Sequence, residues 1–115
     1  MNSWKVDARI PVTVLREWRD VPDGAALLAE ERLPNDAGDG AQAVFRAGDG
    51  THLADCACCS GLGAAASALA ALFRARASGQ WFTSVAALVR TAEGEAELEE
   101  ALRRDILTVA RFRRA

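Results

Sequence analysis

Aromatic side chains are scarce in this sequence, at 6% of residues with no tyrosine, although half of all residues are hydrophobic. Much of the apolar content is alanine, which buries little area per side chain. A chain of 115 residues built this way makes one domain with a small core. No apolar run reaches the roughly 18–20 residues that cross a bilayer, so no helical membrane span is expected. The opening Met1-Asn2-Ser3-Trp4-Lys5-Val6-Asp7 has no signal-peptide core, which predicts a cytoplasmic protein. Excess charge is also missing. A net charge of −2 supplies no basic field, and nucleic acid is not an expected partner. No internal repeat or low-complexity tract is visible. The turn-rich Asn35 to Gly40 segment is too short for a domain linker, so residues 1–115 are read as a single domain.

Cysteine is absent outside one place. All three cysteines lie in Asp55-Cys56-Ala57-Cys58-Cys59-Ser60, and the single histidine, His52, is just upstream. An odd, tightly spaced set is a poor disulfide framework and agrees with a reducing compartment. Thiolates bind Zn²⁺ and Cu⁺ and act as nucleophiles. The cluster can therefore hold a metal ion, run thiol redox chemistry, or sit as small inert hydrophobes. In an extended segment Cys56 and Cys58 point to one side and Cys59 to the other. A turn at the entry to the following helix brings all three toward one ion. Zinc or another transition metal then needs one more ligand, for which His52, Asp55 and Asp49 are the nearby candidates. A helix N-terminus just after Ser60 favours the thiolate form.

The rest of the chain predicts an α/β domain. Arg9 to Leu15 reads as a strand buried on both faces. The polar stretch from Arg16 to Gly24 reads as a loop. Ala25 to Arg32 reads as a short helix with Asp23 as its N-cap. Ala41 to Ala47 is a second, weaker strand, and His52 to Ala54 a short third. An alanine-rich helix follows from Gly63 to Arg76, ended by Ser78-Gly79. Trp81 to Val89 is a further strand. The C-terminal stretch reads as one helix with Leu98, Leu102, Ile106 and Val109 in a stripe. Its glutamates start the helix and its arginines end it in solvent. Glu99–Arg103 and Glu100–Arg104 are favourable i,i+4 pairs. Strand and helix alternation implies a two-layer or three-layer domain around a mostly parallel sheet of three to four strands with right-handed crossovers. Trp4, Trp18 and Trp81 are read as packing or partner anchors. One histidine supports no Ser/His/Asp triad, and no catalytic residues are assigned.

Ile10-Pro11-Val12-Thr13-Val14-Leu15 resembles the first strand of the CobW-like GTPases, which include metallochaperones. Cys56-Ala57-Cys58-Cys59-Ser60 resembles that family's Cys-x-Cys-Cys motif. Gly63, Ala68, Leu69, Phe82 and the closing Ala110-Arg111-Phe112-Arg113 extend the likeness. The resemblance implies a P-loop NTPase domain truncated at its C-terminus, carrying an inherited metal site. It also identifies what is missing. The family's first strand runs into a glycine-rich phosphate loop with a lysine and a hydroxyl for Mg²⁺. Here Asp20, Pro22 and Asp23 stand in that stretch. An acid repels phosphate, and proline has no N–H to offer. No Asn-Lys-x-Asp guanine-reading motif is present, and Arg90-Thr91-Ala92-Glu93-Gly94 keeps only a trace of the family's acidic switch. The expectation is a pseudo-GTPase that does not use GTP and binds metal through Cys56, Cys58, Cys59 and His52. The alternatives are a self-associating module, or one that docks onto a CobW-like GTPase, with inert cysteines, and a thiol redox protein.

Overall fold

A computed structural model describes residues 8–48 and 63–115. The sheet has five strands: β1 (Ile10–Leu15), β2 (Ala26–Glu30), β3 (Gln42–Phe45), β4 (Val85–Leu88) and β5 (Phe112–Arg114), in the order β3-β2-β4-β1-β5. All four pairings are parallel, and the register places Val12 beside Val85 and Leu28 beside Ala87. The helices are α1 (Ala64–Ala77), α2 (Ala92–Arg104) and α3 (Ile106–Arg111). The fold class is α/β, as the sequence predicts, with five strands instead of three or four.

Strand alternation explains where the core sits. Ile10 and Val12, Ala26 and Leu28, and Val85, Ala87 and Val89 point to one face and pack with Leu69, Leu72 and Leu98 of the helices. α1 packs against both α2 and α3. Ala65, Ala66 and Ala68 are buried on α1 and let its backbone approach the sheet closely. Phe73 and Phe112 meet edge to face at 6.2 Å. On the opposite face Leu27, Ala29, Ala86 and Leu88 are also buried. Trp18, Leu33 and Pro34, from the segments flanking β2, lie around Leu88.

Several expectations need correction. The 25–32 segment is the strand β2, not a helix. Its five residues are all buried, so both faces of the segment must be covered, which a central parallel strand achieves and a surface helix does not. Alanine and leucine favour helix only weakly, and tertiary burial decides here. Asp23 accordingly caps nothing, and Gly24 turns the chain at φ +85°.

The C-terminal segment is not one helix. Asp105 breaks it with ψ 120°, and its carboxylate accepts from Thr108 N (2.9 Å) and from Thr108 Oγ1 (2.7 Å), starting α3 in a new direction. Leu98 and Leu102 stay buried, but Ile106 is 84% exposed and leaves the predicted stripe. The arginine-rich end is the third correction. It forms β5 beside β1 rather than a solvated helix end, and Arg114 Nε donates to Glu99 Oε2 at 2.9 Å. Glu99 is thus paired with Arg114 rather than Arg103, while the Glu100–Arg104 pair is present at 3.2 Å. The 81–89 strand is shorter than expected, at Val85–Leu88. The strand expected at His52 to Ala54 lies outside the described residues.

Candidate functional site at the carboxyl edge of the sheet

In parallel sheets, functional groups gather where the strands end. Four strand ends meet here. β1 ends at Leu15 and is followed by Arg16. β2 ends in Glu30, β3 leads to Gly48, and β4 leads through Val89 and Arg90 to Thr91.

Glu30 is 1% exposed and lies on the helix-facing side of β2. Its Oε1 accepts from the backbone N–H groups of Arg90 (2.6 Å) and Thr91 (3.0 Å), and its Oε2 accepts from Thr91 Oγ1 (2.6 Å). The same Thr91 hydroxyl oxygen accepts from Gly94 N at 2.9 Å as the N-cap of α2. A Cβ at position 94 would overlap the Glu30 carboxyl group, so glycine is required for the approach. Burial pushes the Glu30 pKa up. The Thr91 hydroxyl, the two backbone N–H groups and the Arg90 charge outweigh it, and the net pKa lies below the ordinary value. The Glu30 carboxylate thus sits just before the N-terminus of α2, whose Gly94 N–H is capped by Thr91. Just past Glu30, Glu31 takes the left-handed conformation (φ 76°) and donates its N–H to Phe45 O at 2.8 Å.

A second carboxylate organises the other side. Glu97 of α2 accepts from Gly48 N through Oε1 (2.9 Å) and from Ala65 N through Oε2 (3.0 Å). Gly48 follows β3, and Ala65 lies in the first turn of α1, whose N-cap Gly63 has no side chain to offer. One side chain thus supplies the missing cap and ties together the two stems of the 49–62 segment. Glu95, on the same helix, pairs with Arg16. The glutamates of α2 do more than favour its N-terminus, because each of these has a specific partner on another element.

The predicted ligands Cys56, Cys58, Cys59 and His52, with the alternates Asp49 and Asp55, lie outside the described residues, in the segment whose stems Glu97 joins. Among the described residues no three His, Cys, Asp or Glu side chains gather to hold a metal ion. The α1 N–H at Ala65 is satisfied by Glu97. The loop after β1 contains a 3-10 turn, Trp18–Asp20, that uses the N–H groups of Asp20 and Val21 internally (both 3.1 Å). Trp81 is 69% exposed, with the Arg76 guanidinium stacked on it at 3.9 Å, and Trp4 lies outside the described residues. Among the described residues no helix is long and apolar enough to cross a membrane.

Glu30, Glu97 and the capping Thr91 are not among the site residues expected from the sequence. The Thr91 signal was available, as a threonine directly before an acidic helical run. Glu30 and Glu97 act on partners more than thirty positions away, and local patterning carries no trace of that.

No family model, curated protein or solved structure matches the chain.

Proposed function

We propose that this chain is a non-catalytic, degenerate CobW-like domain that binds or passes on a transition metal ion of zinc-like preference. Cys56, Cys58 and Cys59 are its thiolate ligands and His52 its fourth. The donor set fits: three thiolates and an imidazole make a tetrahedral zinc site. The observation that carries the reading is the Glu97 bridge. Joining Gly48 to Ala65 closes the segment that holds the ligands, so part of the loop-closure entropy is already met before an ion arrives. The bound ion gives no hydrolytic chemistry in this reading; it is cargo. The loop after β1 supports a domain without GTP turnover. Its turn consumes the N–H groups of Asp20 and Val21, and Pro22 has none.

Cobalt(II) titration tests this. Thiolate-to-cobalt charge-transfer absorption is expected with the wild-type chain, displaced by zinc, and absent from the Cys56→Ser, Cys58→Ser, Cys59→Ser triple variant. The same spectrum from both proteins contradicts the assignment.

The exposed Ile106 (84%) and Leu107 (55%) on α3 favour a second reading, a protein-docking module that self-associates or seats on a CobW-like GTPase. Light scattering checks it: a strictly monomeric species without a co-purifying partner counts against docking.

A further inference from the structure

The carboxyl edge carries a cavity of about 410 Å³ that the metal reading does not use. Arg16, Arg32 and Arg90 line it, one from beyond the end of each of β1, β2 and β4, together with Trp18, Leu33 and Pro34. Its place follows from topology. β1 and β4 are neighbours, but the chain leaves β1 toward β2, past β4, and leaves β4 toward β5, past β1. Open parallel sheets bind ligands at such a reversal, in the crevice outside the strand ends.

We infer that this cavity is a binding site for a small multiply charged anion bearing carboxylate or phosphate groups, held by the guanidinium groups of Arg16, Arg32 and Arg90. Guanidinium forks match both groups bidentately. The existing partners of the arginines are exchangeable. Arg16 pairs with Glu95 and Arg90 with Glu31 at 3.7 Å, and every side chain in these pairs is substantially exposed. Exposed pairs of this kind hold weakly. Among the described residues Arg32 makes no ion pair. The one buried acid in the lining, Glu30, is turned to the N–H groups at the start of α2 and has its charge compensated there. Leu33 and Pro34 add an apolar wall, and Trp18 provides an indole beside the bound anion.

The site is independent of the cysteines, so its test fails or succeeds separately from the metal titration. Citrate, pyrophosphate and inorganic phosphate serve as probes, read by tryptophan fluorescence and by calorimetry on the full chain. Saturable binding is expected, with the fluorescence change lost in Trp18→Phe while the heat remains. Arg32→Gln and Arg90→Gln should each weaken binding roughly tenfold, the scale of one charge-assisted hydrogen bond. Arg74→Gln, away from this cavity, should leave it unchanged. Both cavity substitutions remove exposed side chains and keep the Arg90 N–H that Glu30 uses, and circular dichroism checks the fold. Preference for citrate names the ligand as a polycarboxylate, and preference for pyrophosphate or phosphate names it as a phosphate compound; either supports the site. No saturable binding at millimolar probe, equal affinity in wild type and the Arg32→Gln/Arg90→Gln double variant, or an equal loss in Arg74→Gln overturns it.

Discussion

Glu30 is the residue whose chemistry is most tightly set by its surroundings. A buried carboxylate is costly unless every acceptor finds a donor, and here Arg90 N, Thr91 N and Thr91 Oγ1 supply them. Glu30→Gln keeps the shape but loses the charge and puts an N–H₂ against donors. It should cost about 1–3 kcal/mol in urea unfolding at neutral pH. The pH dependence has a defined sign. Because the folded pKa of Glu30 lies below the ordinary value, its stabilisation is complete above the unfolded pKa and is lost as pH falls through the folded one. The gap between wild type and Glu30→Gln should therefore close in acid, below the usual glutamate range. A gap that persists or widens there contradicts the assignment. Gly94→Ala is a sharper test. In an ordinary helix interior alanine gains up to ~1 kcal/mol over glycine. Here its Cβ would collide with the Glu30 carboxyl, so a net loss of about 1–3 kcal/mol is expected in thermal or urea melts.

At the scale of elements, Glu97 is where α2, α1 and the residue Gly48 beyond β3 are coupled. α1 begins at a glycine cap without a side chain, and α2 provides the acceptor from outside. Glu97→Ala should destabilise the fold by about 1 kcal/mol, the scale of a lost N-cap. It should also weaken zinc binding, measured by competition with a chromophoric chelator, because the stems of the 49–62 segment part. Unchanged zinc affinity would show that the bridge does not prepare the ligand segment. α3 depends on Asp105 in the same way, and Asp105→Ala should lose about 1 kcal/mol through the freed Thr108 groups. The misread β2 and the misread C-terminal helix have different causes. Ala26–Glu30 carries helix-forming residues yet is a central strand, because burial on both faces overrode propensity. The stripe from Leu98 to Val109 suggested one helix. Asp105, a residue that favours caps over helix interiors, cut it in two.

At the scale of the whole molecule, the class was legible and the layout only in part. β-branched Val12, Thr13 and Val14 announced a parallel strand, but the expected burial on both faces fails: Ile10 and Val12 are buried on one face, while Thr13 on the other is exposed. The alanine-rich α1 was readable in length and place. β5 was not, since Phe112-Arg113-Arg114 has no strand pattern and is fixed by pairing with Ile10 to Val12. The candidate site divides the same way. The cysteine cluster stood out by composition alone. The Glu97 bridge and the arginine cavity exist only once β3, β4 and α2 are brought together. The cysteine segment, its stems held by Glu97, is proposed above as a metal site. Native mass spectrometry after zinc addition tests it most directly. A single zinc ion per wild-type chain and none on the triple Cys→Ser variant is the predicted result; the same zinc load on both would contradict it.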